Sequence, residues 1–93
     1  MNGAWYVYIV ECRDGTLYTG ISNNVDKRIR DHNSGIGSRY TKGRRPVKLI
    51  RKWDCADKSH ASKMEYRIKR LTREGKLRSI ISIEKTEGEQ ELV

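Results

Sequence analysis

The chain has 93 residues, of which 35% are hydrophobic and none is phenylalanine, so we expect one small domain with a modest core. No apolar stretch approaches the ~20 residues that cross a bilayer, and the N-terminus lacks the basic-then-apolar order of a secretory signal. These features exclude a membrane-spanning protein and predict a soluble protein of the cytoplasm.

The charge is strongly positive and unevenly distributed. The whole chain carries a net charge of +8, which divides into +11 for residues 1–83 and −3 for residues 84–93. We expect the first range to form a single domain and the acidic, glycine-containing second range to be a disordered tail. A basic body of this kind is typical of a protein whose partner is a polyanion such as DNA or RNA.

The two cysteines, Cys12 and Cys55, lie far apart in the chain. They have no CxxC spacing and no neighbouring histidine cluster, which argues against a zinc site. Two buried free thiols are the favoured interpretation, and a single disulfide between them stays open.

The first two elements predicted are strands at 5–12 and 16–21, both rich in aromatic and β-branched residues. The hairpin between them has two possible registers. A two-residue loop puts Tyr8 and Tyr18 on opposite faces, because strand side chains alternate. A three-residue loop that ends in a left-handed Gly15 puts both tyrosines on one face. The sequence is compatible with either register.

A first helix follows this hairpin. Residues 22–24 supply an N-cap, and Val25 and Ile29 have the spacing of a buried helical stripe. Arg28 and His32 are four residues apart and therefore share a neighbouring face of the same helix.

The rest of the chain predicts a loop at 34–46, a third strand at 47–55 and a second helix from 58 to about 71, capped by Asp57 or Ser59. A short third helix capped by Thr72 completes the order β-β-α-β-α-(α). Three of its apolar residues are expected to face inward: Leu77, Ile80 and Ile81. This order predicts an α+β fold in which a three-stranded antiparallel sheet is flanked by helices.

The predicted loop at 34–46 is rich in glycine and in basic residues, with one aromatic residue among them. Such a mixture on a flexible loop is typical of phosphate contacts, although a solvated mobile surface would have the same composition. The candidate nucleic-acid contacts are Arg39, Tyr40, Lys42, Arg44 and Arg45.

Five further residues each have an ordinary structural explanation when taken alone. Tyr8 and Tyr18 are typical packing residues of strands, and Arg28 has the character of a solvated or ion-paired helical residue. His32 lies near a helix C-terminus, where it interacts favourably with the helix dipole. Glu65 lies among cations on the second helix, where a surface ion pair is the ordinary interpretation.

Taken together, the same residues form an ordered pattern. The triplets YVY at 6–8 and YTG at 18–20 are followed by Arg28, by His32 and by a helical Glu65. This arrangement resembles the GIY-YIG nuclease domain over nearly the whole chain. The segment GSRYTKGRRPV is similar to one in the small, stand-alone bacterial GIY-YIG proteins.

The resemblance implies a three-stranded antiparallel sheet with flanking helices, and hydrolysis of phosphodiester bonds with one divalent ion, Mg²⁺ or Mn²⁺. Tyr8 and Tyr18 would meet at the site, where one of them orients or deprotonates the attacking water. Arg28 would contact the scissile phosphate and Glu65 would hold the metal ion. Fixed positive charge of this kind stabilises the phosphoryl oxygens in the transition state.

The resemblance also gives roles to two other residues of the corner and reveals departures from the family pattern. Gly20 would leave room for the substrate backbone, and His32 would project with Arg28 toward the same phosphate. Tyr6 replaces the first glycine of the pattern and Ile21 replaces a lysine that assists base activation in several relatives. A third departure, Thr19 in place of isoleucine, is compatible with a strand.

These inferences predict a metal-dependent endonuclease that acts on DNA in repair, or in processing of damaged or branched structures. One alternative is a catalytically inactive nucleic-acid-binding module of the same fold. A protein-interaction domain whose charge serves solubility is a third hypothesis. The presence of both tyrosines together with Arg28 and Glu65 favours the enzyme.

Overall fold

The computed structural model describes residues 4–80, which form three strands and four helices. The elements are β1 (Trp5–Glu11), β2 (Leu17–Ser22), α1 (Val25–Ser34), α2 (Arg39–Lys42), β3 (Lys48–Cys55), α3 (Lys58–Lys69) and α4, which is helical at 73–80. The expected third helix is therefore present from residue 73. The predictions for Ile81 and for the tail at 84–93 lie outside the described residues.

The three strands form one antiparallel sheet in the order β2-β1-β3. The central strand β1 is buried on both faces, since Val7, Ile9 and Val10 are 0% exposed. The aromatic and β-branched residues of this strand suit a pleated surface covered from both sides. The predicted α+β fold class is confirmed.

The hairpin adopts the register with the three-residue loop. Tyr8 pairs with Gly20 and Val10 pairs with Tyr18 across the two strands. Gly15 closes the loop with φ of 85°, a left-handed conformation that glycine adopts without a steric penalty. Since directly paired residues share a face, Tyr8 and Tyr18 project from the same side of the sheet.

Each face of the sheet has its own hydrophobic cluster. The cluster on the α1 side contains Tyr8, Val10, Cys12, Val25 and Val47. The cluster on the α3 side contains Val7, Ile9, Leu17, Trp53, Cys55, Ala61, Ile68 and Ile80. Cys12 and Cys55 therefore lie on opposite faces, and both are free and buried, as the favoured interpretation predicted.

Side-chain caps set the helix boundaries. Asn24 accepts a hydrogen bond from the backbone N–H of Lys27 at 3.1 Å and begins α1, and Asp57 caps α3 in the same way. The prediction of a plain loop at 34–46 was wrong in part, because Ser38 caps the short helix α2 within it. No helix between residues 4 and 80 is long and apolar enough to span a membrane.

Candidate active site

A continuous chain of hydrogen bonds links three buried side chains from β1, α1 and α2. The Tyr8 hydroxyl lies 2.8 Å from Nε2 of His32, and Nδ1 of His32 lies 2.8 Å from Oγ1 of Thr41. All three residues are at most 1% exposed. The buried imidazole therefore has a partner at each nitrogen, as a buried polar ring requires.

The hydrogen-bond partners of Thr41 define which atoms donate and which accept in this series of hydrogen bonds. Its hydroxyl can donate to the backbone carbonyl of Ser38 at 3.3 Å or to Oγ of Ser38 at 3.1 Å, and in both arrangements its oxygen is left to accept. We therefore assign the imidazole proton of His32 to Nδ1, which donates to Thr41. Nε2 then accepts the hydroxyl proton of Tyr8.

Burial shifts the acid–base properties of both ring residues. It lowers the pKa of His32 from 6.5, and the nearby Arg28 cation lowers it further, while Asp31 acts in the opposite direction. Burial and then the neighbouring Tyr18 raise the pKa of Tyr8 to about 12, against the effect of Arg28. The phenol and the imidazole are therefore both neutral near pH 7, with the proton on the tyrosine oxygen.

Tyr18 lies beside these hydrogen-bonded residues and is more exposed to solvent than Tyr8. The edge of its ring contacts His32, with centroids 5.2 Å apart and planes at 68°. Its ring stacks on Tyr40 of α2, with a centroid separation of 5.7 Å and planes at 28°. The guanidinium of Arg44 lies 4.0 Å from the Tyr40 ring centroid, so the stack ends in a cation.

Arg28 is anchored by the same part of the chain that supplies Thr41. Its guanidinium donates to the carbonyl of Gly37 at 2.8 Å and lies 4.0 Å from the Asp31 carboxylate. Its side chain is still 36% exposed, so it reaches solvent next to the buried tyrosine and histidine. We call residues 37–41 the brace, because they hold Arg28, His32 and Tyr18 through three different contacts.

Glu65 of α3 lies at the edge of this cluster. Its carboxylate is 3.3 Å from Nζ of Lys69, which in turn lies 5.7 Å from the Tyr18 ring centroid. The Glu65 charge is also the smallest of the influences that act on the pKa of Tyr8, which burial above all raises. The expectation that Glu65 turns toward Tyr8, Tyr18 and Arg28 stays a prediction, because its ion pair leads to the Tyr18 ring only through Lys69.

The donor groups near Glu65 fit one kind of metal site. Between residues 4 and 80 there is no group of three or more His, Cys, Asp or Glu side chains that could hold an ion. A single partly buried carboxylate, 23% exposed, suits Mg²⁺, which keeps several waters and takes few protein oxygens. Glu65 is thus able to hold a hard divalent ion only together with waters and substrate oxygens.

Two expectations about individual residues need correction. A Cβ added to Gly20 would lie 2.5 Å from the Tyr8 hydroxyl oxygen, so this glycine makes room for the Tyr8 ring rather than for a substrate backbone. His32 is 0% exposed and both its nitrogens are engaged, so the expected direct contact with a phosphate was wrong. Its position suits a role exerted through Tyr8.

The basic loop residues divide into two groups. Arg44 is bound to the Asp14 carboxylate at 3.1 Å and to the carbonyl of Tyr40 at 2.7 Å, while Arg45 donates to the carbonyls of Lys42 and Asn33. The two arginines therefore fix the loop onto the hairpin turn and the end of α1. The remaining predicted contacts are exposed: Arg39, Tyr40 and Lys42.

Thr41 is the residue of this site that sequence reasoning missed. Its backbone N–H donates to Oγ of Ser38 at 3.2 Å, a capping contact. A serine that caps a helix is a start signal in the sequence, and Ser38, three residues before Thr41, is such a serine. This signal marks the brace in the sequence.

Comparison with known proteins places this geometry in a family. The profile of the GIY-YIG catalytic domain matches residues 4–78. UPF0213 protein DP2720 of Desulfotalea psychrophila is 59% identical over 70 residues, which are 74% of this chain and 64% of that protein. UPF0213 protein CPE1444 of Clostridium perfringens is 52% identical over 77 residues, or 83% of each chain. This chain therefore spans just under two thirds of the first relative's length.

Two solution NMR structures have a similar fold. UPF0213 protein BH0048 of Bacillus halodurans is 44% identical with a TM-score of 0.53, over 86% of this chain and 84% of its own. Protein EF2693 of E. faecalis is 34% identical with a TM-score of 0.65, over 89% and 88%. The matched profile, the relatives and the shared fold together show that this chain belongs to the GIY-YIG family.

Proposed function

We propose that the protein is a divalent-metal-dependent endonuclease that hydrolyses phosphodiester bonds of DNA. The observation that carries this proposal is the hydrogen-bonded series from Tyr8 through His32 to Thr41, next to a partly exposed cation, Arg28. Glu65, at the edge of the cluster, supplies a carboxylate. These buried hydrogen bonds define a direction in which a proton can be transferred. Side chains that only pack would not need such a direction.

The two tyrosines have different tasks in this proposal. Tyr18 is the more exposed of the two, and its hydroxyl makes no hydrogen bond with any residue between 4 and 80, so it is free to orient the attacking water. Tyr8 passes its hydroxyl proton to Nε2 of His32 and takes the proton of the attacking water in its place, so that the positive charge ends on the imidazole. His32 is the final acceptor, and its lowered pKa keeps it neutral and ready at pH 7.

Arg28 supplies fixed positive charge for the phosphate. Its guanidinium is anchored by Gly37 and partly exposed, so it is held in place before the substrate binds. A divalent ion held by Glu65, waters and substrate oxygens supplies further positive charge to the phosphoryl oxygens when bound. Arg28 and Glu65 thereby act on the charge of the transition state, while Tyr8 and His32 act on the proton.

The net positive charge supports a nucleic acid as the substrate, and the free cysteines support a reducing compartment. The excess of Lys and Arg favours a nucleic acid, and we propose DNA undergoing repair or processing as the substrate. Cys12 and Cys55 are free thiols on opposite faces of the sheet, which fits a reducing compartment. We propose the cytoplasm as that compartment.

A cleavage assay tests the proposal. Single-stranded, duplex, flap and junction DNA and a matched RNA are incubated with Mg²⁺, with Mn²⁺ and with EDTA. We expect metal-dependent cleavage of at least one DNA by the wild type and its loss in Arg28→Ala, a variant that should still melt cooperatively. Binding of all substrates without cleavage in either metal would instead identify an inactive nucleic-acid-binding module.

A further inference from the structure

A second cationic site lies between the hairpin and α4, outside the residues assigned to catalysis. A cavity of about 190 Å³ opens there, lined by Thr16, Leu17, Tyr40, Arg73 and Lys76. No described residue that lines it carries a negative charge. Two cations and a ring thus face one small space without a counter-ion from the described chain.

Like charges are held together at this cavity. Lys76 is half-buried, and burial followed by the ammonium of Lys69 lowers its pKa. Arg73 is fixed by donating a hydrogen bond to the carbonyl of Gly15. A half-buried cation beside another cation is held in an unfavourable environment, and an anion placed next to Lys76 would stabilise its charge.

The cavity adjoins the candidate active site, because one of its lining residues stacks on Tyr18. Tyr40 lines the cavity, is 38% exposed and stacks on Tyr18, while Lys69 lies 5.7 Å from the Tyr18 ring centroid and 3.3 Å from the Glu65 carboxylate. Cations beside an exposed aromatic ring are the combination that binds a nucleic-acid strand. The anion that suits this place is therefore a backbone phosphate of the strand being cut.

We propose that the cavity lined by Arg73, Lys76 and Tyr40 is a phosphate subsite, which binds a backbone phosphate of the substrate strand next to the one at Arg28 and Tyr18. The inference rests on the proposed function, because it names where that substrate continues. Arg73 and Lys76 contact the phosphate oxygens, and Tyr40 supports the adjoining sugar or base.

The salt dependence of binding tests the subsite without any cleavage. Affinity for a short single-stranded oligonucleotide is measured in EDTA at several salt concentrations for wild type, Lys76→Gln and Lys63→Gln. Lys63 is an exposed lysine of α3 that is not among the described residues lining the cavity, so its variant is matched in charge. We expect the slope of log K against log salt to fall by about one for Lys76→Gln only. Equal slopes in the two variants would overturn the subsite.

A direct readout follows the ammonium of Lys76 itself. Its pKa is measured by NMR for the free protein, with inorganic phosphate and with the oligonucleotide. We expect the oligonucleotide to raise this pKa, because a neighbouring phosphate favours the charged amine. An equal rise with inorganic phosphate at the same concentration would mean a site for free phosphate, and an unchanged pKa at saturation would mean that no phosphate binds there. Either result contradicts the subsite as proposed.

The two proposals fail in different ways. If wild type cuts DNA and Lys76→Gln keeps the full salt slope, the subsite is refuted and the endonuclease stands. If wild type cuts no substrate and the Lys76 slope and pKa change as expected, the subsite stands in a binding module. Lys76→Arg keeps the charge and should restore the slope, which separates phosphate binding from a defect in folding.

Discussion

The Tyr8 hydroxyl and Nε2 of His32 meet at 2.8 Å inside the protein, between the central strand and the first helix, with both residues at most 1% exposed. This contact joins residues 24 positions apart. In the proposed function, His32 would therefore act on the substrate through Tyr8 and not by touching it.

Thr41 is expected to control this contact by fixing the proton of His32 on Nδ1. Thr41→Val keeps the shape and removes the hydroxyl, which leaves the buried Nδ1–H without its acceptor at a cost of about 1–3 kcal/mol. We expect cleavage to fall by about tenfold or more. The ¹⁵N shifts of the imidazole should show a loss of the single tautomer.

Thr41→Ser is the matched control, because it retains the hydroxyl and removes only a methyl group. It should keep both the tautomer and most of the activity. If valine and serine reduced cleavage equally, with the His32 nitrogen shifts unchanged in both, Thr41 would have a packing role alone.

Gly20 is expected to tolerate no side chain. In Gly20→Ala the new methyl group would lie 2.5 Å from the Tyr8 hydroxyl oxygen and 2.7 Å from its Cζ. Displacement of the ring should destabilise the protein by about 1–3 kcal/mol and break the hydrogen bond to His32. Chemical denaturation and the cleavage rate measure the two effects.

Gly43→Ala provides the comparison for this substitution. A Cβ at Gly43 meets nothing within 4 Å, and its φ of −92° is accessible to alanine. We expect it to change stability little. A loss of stability in Gly43→Ala as large as that in Gly20→Ala would show that the contact with Tyr8 is not the cause.

Stability should fall as the pH drops below about 6.5. Folding lowers the pKa of His32, so below its ordinary value the unfolded chain takes up a proton that the folded protein refuses. The stabilisation is complete above pH 6.5 and decreases toward the folded pKa, by at most ~1.4 kcal/mol per pH unit for one proton. Urea unfolding between pH 7.5 and 5.5 measures the slope.

His32→Gln should flatten this pH dependence, while His60→Gln at the exposed histidine should leave it in place. The same protonation removes the acceptor for Tyr8, so we expect the acidic limb of the pH–rate profile to lie below 6.5. A slope that survives His32→Gln would assign the proton to another group.

Glu65→Gln tests the metal role of the carboxylate. The substitution keeps the size and removes the charge, so we expect metal-dependent cleavage to fall on the order of a hundredfold or more. Binding of DNA in EDTA should be unchanged or slightly tighter, because a negative charge near phosphate is gone. Glu74→Gln, at a 78% exposed position of α4, is the control and should cut normally. Equal cleavage by Glu65→Gln and wild type would reduce Glu65 to the ion-pair partner of Lys69.

Much of the fold follows from local sequence chemistry. The strand around Tyr8 has the β-branched composition of a buried strand, and Gly15 has the freedom that the three-residue loop requires. The sequence still left two hairpin registers open. A strand that is apolar on both faces shows no alternation of polar and apolar residues that would favour one register over the other. Packing against α1 and α3 makes that choice, and α3 lies more than 30 residues from the hairpin in sequence.

The burial of His32 and the role of Thr41 lay beyond sequence reasoning for a related reason. A histidine four residues from an arginine has the pattern of a surface residue, and its burial depends on partners that β1 and α2 bring to it. The four-residue helix α2 is too short to give a periodic signal. Only the capping serine at Ser38 marks it.

The brace at 37–41 ties three functional side chains from different elements to one short stretch of backbone. If this stretch opens, Arg28, His32 and Tyr18 lose their supports in the same event. The candidate active site would then exist in two populations, assembled or dismantled, and the rate of the proposed cleavage would report the free energy of a local opening rather than that of global unfolding. Two substitutions inside the brace should together reduce the cleavage rate by less than the product of their separate effects. The second substitution acts on a stretch that the first has already released.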